Sequence, residues 1–347
     1  MFIKKIFVFS ILNKVIGFPN KFNTNHYYQV NHYEPYQTKQ FIKIHDKPYV
    51  MYRYNSSYHA LDDACPHQGA SLSQGWVNHR GNLHCPYHAF EFNKEGQFCG
   101  IPNPNKKFKS VPTKRHYIDK YPTLHFGNDI YLCPNPTRNM TESLLLPHYP
   151  PEHFNEEFIK IQDSIIIHQN YKVVTENVLD MLHISYIHSF GNKKFPLPFD
   201  VSFEQLSPTS GRSIFKYKPY ELTISNQIGK SPVVIVENEF HLPTTTITRV
   251  IAGNVVKTVL TRSTPISENK SRFFYSVYRN FWYNKHFPIV NRIGDIVMKF
   301  LMKLTLKEDI NILKHVYPEH RVGSLSTKYD VTILKYREAL GESSGDK

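Results

Sequence analysis

Two short loops constrain this chain more than any other feature. Cys65-Pro66-His67 is followed, after seventeen intervening residues, by Cys85-Pro86-Tyr87-His88, the pattern C-x-H…C-x2-H. Two thiolates and two imidazoles can hold one tetrahedral zinc ion. They can equally hold a 2Fe–2S centre of the Rieske kind, in which two Cys bind one iron and two His bind the other. Zinc sites usually keep Cys with Cys and His with His. Here each loop carries one of each, so each loop can contribute one ligand to each iron, and the spacing favours the cluster. Such a cluster sits naturally between two hairpin tips, which calls for a β-rich domain around it. Cys99 and Cys133 have no His at comparable spacing and read as small buried apolar residues.

The rest of the composition narrows the class. Four cysteines in 347 residues exclude a disulfide scaffold. A chain that is 40% hydrophobic and 20% charged is not disordered, and its length suits two domains. The net charge of +13 invites an acidic partner. There is no long Lys/Arg block, however. The densest stretch, Asn105-Lys106-Lys107-Phe108-Lys109 with Lys114-Arg115, is short. With no helix-turn-helix, zinc-finger or RRM signature, no nucleic-acid partner is expected. Lys4 and Lys5 precede an apolar run, Ile6 to Leu12, that mimics a signal peptide. Asn13 and Lys14 cut the run, no small-residue cleavage site follows, and it is too short to span a bilayer. Residues 1–25 therefore read as an amphipathic segment, either docked on the protein or in peripheral contact with a membrane. The expected location is cytoplasmic, with membrane association through that segment left open.

Residues 26–136 read as one domain, rich in short strands such as Phe41 to Ile44, Tyr49 to Arg53 and Ile130 to Leu132, punctuated by turns. Prolines at Pro134, Pro136 and Pro147 to Pro151 mark the break. Residues 137–347 form the second domain. It opens with a strand, Ser164 to His168, and a helix from about Tyr171 to His188. Long strands follow at Ser213 to Tyr217, Val233 to Phe240, Thr244 to Ile251, Val255 to Thr261 and Arg272 to Trp282. Helices close it, at about Pro288 to His315, with a break allowed, and at Val331 to Leu340. The fold class is α+β, an antiparallel sheet with flanking helices. The stretch Phe287 to Leu306 carries Arg292, Asp295, Lys299 and Lys303 and reads as an amphipathic helix.

The first helix of that domain contains Glu176-Asn177-Val178-Leu179-Asp180-Met181-Leu182-His183-Ile184-Ser185-Tyr186-Ile187-His188. At ~100° per residue Asp180 lies angularly between the two histidines. His183 and His188 stand about 140° apart on an ideal helix, too far for neighbouring ligand positions. A π-bulge, or a helix ending near Ser185, would bring them together.

These residues carry a family resemblance. Asp63 to Gly75, Cys85 to Phe92 and Gly96 to Pro102 resemble the cluster-binding loops of the Rieske non-haem iron oxygenases. That family more often has Arg where Gln68 stands and Gly-Trp where Ala89-Phe90 stand. The string E-N-x-x-D-x-x-H-x4-H is similar to the family's mononuclear iron motif. By resemblance Cys65, His67, Cys85 and His88 bind the Rieske cluster, and His183 and His188 bind a mononuclear Fe(II). Asp180 would be the bridging carboxylate toward the cluster of a neighbouring subunit. Lys307-Glu308-Asp309-Ile310 resembles the late segment that completes the iron site, with Asp309 at the matching position and Glu308 as competitor.

The resemblance, which runs from about Tyr27 to Leu340, implies further expectations. The fold is an all-β Rieske domain followed by a helix-grip-like catalytic domain. The activity is O2-dependent monooxygenation of a hydrophobic cyclic or aromatic substrate: hydroxylation, O-demethylation or desaturation. Electrons come ultimately from NAD(P)H through a ferredoxin or flavin reductase, since no G-x-G-x-x-G motif opens a helix here and two domains fill the chain. The assembly is a homotrimer. The layout is closest to the pheophorbide a oxygenase, steroid hydroxylase/desaturase and vanillate or dicamba demethylase kind, without the C-terminal anchor of the chloroplast members. The alternative is a Rieske electron carrier with a non-catalytic second domain.

Overall fold

A computed structural model describes residues 26–34, 39–102, 117–135, 146–219, 229–323 and 325–342. The N-terminal segment 1–25 and the basic stretch from Asn105 to Arg115 lie outside them.

The first part of the chain is built from β1 (Tyr28–His32), β2 (Lys39–Ile44), β3 (Lys47–Tyr54), β4 (Ser57–Asp62), β5 (Trp76–Val77), β6 (Leu83–His84), β7 (Glu91–Phe92), β8 (Phe98–Gly100), β9 (Lys120–Tyr121), β10 (Thr123–Phe126) and β11 (Asp129–Leu132). They form three sheets, ordered β1-β11-β10, β2-β3-β4-β9 and β5-β6-β7-β8. The central strand β3 shows how the layers are held. Side chains alternate across a strand, and β3 is apolar on both faces. Tyr49 and Met51 enter one core with Val30, Ile44 and Leu132. Val50 and Tyr52 enter another with Leu61, Leu72, Leu83 and Phe92. Cys65 and Cys85 belong to the second core, so both loops are anchored by apolar burial at their cysteines.

The second part contains β12 (Ile159–Ile167), α1 (Tyr171–Leu179), α2 (His183–Ile187), β13 (Asp200–Ser207), β14 (Ser210–Tyr217), β15 (Val234–His241), β16 (Thr245–Ala252), β17 (Val255–Ser267), β18 (Lys270–Arg279), α3 (Pro288–Leu313) and α4 (Val331–Ala339). One antiparallel sheet, ordered β12-β18-β17-β16-β15-β14-β13, runs as successive hairpins with β12 returning beside β18. α3 buries Gly294, Met298, Met302, Leu306 and Leu313, the i, i+4 and i+7 spacing of one helical face. That face packs with Val173 and Val174 of α1 against Phe273, Tyr275 and Val277 of β18.

Arg279 joins β18 to α3. Its guanidinium donates to the carbonyls of Phe281 (2.5 Å), Trp282 (2.7 Å) and Asn291 (2.9 Å) and to Asp295 Oδ1 (2.8 Å). A Cβ on Gly294 would lie 2.6 Å from Arg279 Nη2. Glycine is therefore what lets the helix pass over this buried cation.

The two parts meet through Asp129 of β11 and Arg262 of β17. Arg262 donates to Gln29 Oε1 (3.2 Å) and to His148 O (2.7 Å), and it stands 3.7 Å from Asp129 Oδ2. Asp129 also accepts from Gln29 (3.0 Å), His32 Nδ1 (2.9 Å) and Tyr149 (2.7 Å).

Two expectations are corrected, and the long helix, for which a break was allowed, runs unbroken from Pro288 to Leu313. The single helix from Tyr171 to His188 is two helices, interrupted at Asp180, whose ψ of 118° leaves helical geometry. Cys133 is buried, but Cys99 is exposed, because it points outward from the edge strand β8 rather than into the core.

Candidate metal sites and the cavity beside them

The two Cys-His loops are folded alike. Cys65 N–H donates to Ala70 O (2.9 Å) and Gly69 N–H to Cys65 O (2.8 Å). In the second loop Cys85 N–H donates to Phe90 O (2.9 Å) and Ala89 N–H to Cys85 O (3.0 Å). Gly69 (φ 73°) and Ala89 (φ 57°) both occupy the left-handed region. Alanine carries a cost of about 1–2 kcal/mol there, so the departure at Ala89 is borne as backbone strain. Buried Asp63 pins the first loop by accepting from Ser71 Oγ (2.5 Å), Ser73 N (2.5 Å) and Ser73 Oγ (3.1 Å).

His67 and His88 face each other at the exposed tip, with their Nδ1 atoms 3.2 Å apart. Phe90 stacks on His67 (centroids 4.7 Å, 21° between planes), and Tyr87 stacks on His88 (3.9 Å, 26°). The Cys65 and Cys85 thiols are buried in one apolar core. Burial pushes the Cys65 thiol pKa up. The backbone N–H groups of His67 and Gln68, aimed at its sulfur, only partly offset this.

The donor set distinguishes two metals from one. Among the described residues, the groups of three or more donors within 4.8 Å of one another do not include these four. A single tetrahedral zinc would hold them about 3.3–3.8 Å apart. A buried sulfur pair and a separate nitrogen pair fit a Rieske cluster instead.

The second site forms where α1 breaks. The carbonyls of Val178 and Leu179 at its end are satisfied by buried Asn238 of β15 (3.1 and 3.2 Å). Asp180 Oδ1 then accepts from the backbone of Leu182 (2.8 Å) and His183 (3.4 Å), as a cap does. α2 begins at His183 and ends at Ile187, so His188 lies in extended backbone with ψ 140°. The rings come within 5.2 Å, centroid to centroid. α3 supplies the carboxylate. Asp309 Oδ1 lies 3.3 Å from His183 Nε2 and 3.5 Å from His188 Nε2.

The residues fit a metal ion. Asp309 Oδ1 is buried without a hydrogen-bond partner, an expensive arrangement for a polar atom that a cation among the three ligands resolves. Burial pulls the His183 pKa down, but Asp309 and Asp180 outweigh it and the net shift is upward. For His188 burial prevails and the net shift is downward, with Asp309 and Glu308 opposing it. Glu308 and Asp309 divide the work. Glu308 Oε2 accepts from His188 Nδ1 at 2.9 Å, which leaves Nε2 bare for a metal. Asp180 Oδ2 stands 3.8 Å from His183 Nδ1 on the outer side, and its side chain is one-third exposed.

Glu176, part of the same motif, proves structural. It accepts from Arg337 (2.9 and 2.8 Å) and from Arg321, tying α1 to α4. A second donor trio, His148, Glu239 and His241, also converges. Arg212 and Arg249, 3.8 and 3.7 Å from Glu239 Oε1, already neutralise its charge and repel a cation.

A cavity of about 330 Å³ opens beside His183, His188 and Asp309. Met181, Ile184, Val236, Val250, Phe273 and Met302 give it an apolar wall. Lys257 of β17 also lines it. Burial lowers the Lys257 pKa, and its ammonium has no ion pair or hydrogen bond among the described residues. Asn238, Glu308 and Lys257 carried no local sequence signal for these positions beyond the acidic pair at Glu308-Asp309. Strand register and helix phase place them.

Comparison with known families agrees with this geometry. Residues 26–122 match the Rieske [2Fe-2S] domain, and residues 167–343 match the vanillate O-demethylase oxygenase C-terminal domain. The Arabidopsis thaliana protochlorophyllide-dependent translocon component 52 is 33% identical over 150 residues, covering 42% of this chain and 26% of that protein. The pheophorbide a oxygenase of Arabidopsis thaliana is 28% identical over 157 residues, 43% of this chain and 29% of its own length. The matched part thus spans between a quarter and a third of these curated relatives. NdmA of Pseudomonas putida CBB5, solved with caffeine, superimposes with a TM-score of 0.74 at 17% identity, covering 92% of each chain. At that identity the likeness concerns the fold.

Proposed function

The chain belongs to the Rieske non-haem iron oxygenases, and from that premise we propose that it is an O2-dependent monooxygenase acting on a hydrophobic cyclic or aromatic substrate. One observation carries the reading: His183 Nε2, His188 Nε2 and Asp309 Oδ1 converge at the wall of an apolar cavity, on a chain that also pairs Cys65 with Cys85 and His67 with His88. When bound, the cluster would relay single electrons and the iron would activate O2. The balance is one O2, two electrons and two protons per turnover, giving oxidised substrate and water. Hydroxylation, O-demethylation and desaturation all satisfy it.

The protein's own residues set the conditions. Cys65, Cys85, His67 and His88 would hold the cluster, and His183, His188 and Asp309 the iron. The apolar wall excludes water and orients a ring by shape. Lys257 offers a cation or donor for a polar substituent on the substrate, and Lys218 is a second lysine in the lining. Asp180, with Oδ1 capping α2, Oδ2 3.8 Å from His183 Nδ1 and a side chain one-third exposed, would hydrogen-bond a cluster histidine of a neighbouring subunit in a homotrimer. A separate ferredoxin or flavin reductase would deliver electrons ultimately drawn from NAD(P)H, and part of the +13 charge would serve its docking. The domains would run 26–136 and 137–347.

An electron carrier with an inert second domain is less favoured, because it leaves the convergent triad without use. Iron counting on protein with an intact Rieske EPR signal separates the two: about three Fe per chain for the oxygenase and two for the carrier. Cys85→Ser should leave about one Fe per chain. Two Fe in the parent protein, or stoichiometric zinc, would overturn the reading. With three Fe confirmed, turnover with a generic reductase on sterols, tetrapyrroles and methoxy-aromatics identifies the substrate.

A further inference from the structure

α3 has two apolar faces, and among the described residues only one of them is packed. The inner face, Met298, Met302 and Leu306, packs on the core and lines the cavity. On the outer side Ile289 (67% exposed), Ile293 (57%), Ile296 (69%) and Phe300 (59%) project into solvent, with Leu304 continuing the line and Phe287 just before it. At ~100° per residue the five helical positions fall within an arc of about 80°. Arg292, Lys299 and Lys303, all exposed, border that stripe on one side. Single exposed apolar residues need no explanation, but a continuous stripe along a helix does.

We propose that the outer face of α3 docks on an anionic membrane surface, with Ile289, Ile293, Ile296 and Phe300 entering the headgroup boundary and Arg292, Lys299 and Lys303 pairing with lipid phosphates. An exposed apolar stripe with a basic border is the chemistry of an interfacial helix. No helix among the described residues is long and apolar enough to cross a membrane, so the contact is peripheral. Charge argues against the other two occupants. Residues 1–25 contain Lys4, Lys5, Lys14 and Lys21 and no acidic residue, and would bring like charge to the basic border. A second copy packed face to face would set Arg292, Lys299 and Lys303 against their own counterparts, and a head-to-tail neighbour in a trimer would bury the stripe, so that the stripe variant would change the oligomeric state. Docking would hold the cavity about one helix diameter, ~10 Å, from the lipid surface, a short path for a hydrophobic substrate.

The test is flotation of the full-length, cluster-loaded protein with two kinds of vesicle, phosphatidylcholine alone and phosphatidylcholine mixed with phosphatidylglycerol. Binding to the mixed vesicles should exceed binding to the neutral ones by about tenfold or more. The double variant Ile293→Asn/Phe300→Asn should lose that binding, and Arg292→Gln/Lys299→Gln should weaken it severalfold. Both variants should keep the parent's Rieske EPR signal and sedimentation coefficient. Should the stripe variant fold poorly, the charge variant carries the test alone. Undiminished binding by the variants would overturn the proposal and assign any affinity to another surface. Absence of binding by the parent protein would also overturn it, as would a stripe variant that changes the oligomeric state. Because iron content is measured on the same samples, a failure here is separable from a failure of the oxygenase reading.

Discussion

Removing Glu308 should weaken iron binding without removing a ligand. Its Oε2 accepts from His188 Nδ1 at 2.9 Å, and its Oε1 accepts from Ser189 N at 3.2 Å. His188 is buried, so this bond fixes both the ring and its tautomer. A hydrogen bond to a charged group is worth roughly 1.5–3 kcal/mol and is about twice as strong as a neutral one. Glu308→Gln keeps an acceptor and loses the charge, so about 1 kcal/mol, or roughly fivefold in Fe(II) affinity, should go. Glu308→Ala leaves Nδ1–H without its partner and should cost about 10–100-fold. Asp309→Ala removes the carboxylate proposed as a ligand and should cost more than either. The assay is anaerobic equilibrium dialysis of Fe(II) against a competing chelator, with the cluster absorbance as an internal control for folding. If Glu308→Ala bound Fe(II) as tightly as the parent, the orienting role would be wrong. If Glu308→Ala lost the metal while Asp309→Ala retained it, the two carboxylates would have to exchange roles.

Three other perturbations have defined outcomes. Asp180→Asn should keep both metal sites by EPR and iron content yet lose most turnover, and normal turnover would refute its bridging role. Lys257→Met should raise KM for substrates carrying a carboxylate by about tenfold or more and leave KM for neutral ones near the parent value; equal effects on both would remove Lys257 from recognition. Burial works to raise the Asp129 pKa, but His32, Arg262 and Tyr149 outweigh it and hold the carboxyl below the usual range. Its contribution to stability should be complete above ~pH 4 and lost as pH falls through the lower folded value. The gap in Tm between the parent and Asp129→Asn should therefore shrink on acidification, and a gap that widened would contradict this assignment.

The C-x-H…C-x2-H pattern by itself picked out the two loops whose Cys and His side chains the fold pairs, because residues on two short loops are positioned by local spacing and turn chemistry. Apolar and aromatic runs bounded by turn residues likewise made the strands legible, and the facing of β3 into two cores follows from period two. His183, His188 and Asp309 were readable only by resemblance. On an ideal helix the two histidines diverge, and nothing local announces that the helix stops at Leu179. The break exists because Asn238, on a strand some sixty residues later, satisfies the freed carbonyls, and Asp180 caps α2 on the far side of the break. Such a partner is invisible to periodicity.

Tertiary structure also decided between Glu308 and Asp309. Neighbours on a helix point about 100° apart, so only the packing angle of α3 chose which carboxylate meets both Nε2 atoms and which turns to Nδ1. The same holds for Cys99, whose apolar character suggested burial while its edge strand turned it outward. Local chemistry is written in short spacings. Which side chains converge across 120 residues or more depends on strand register and helix phase, and those are set by the packing of the whole sheet.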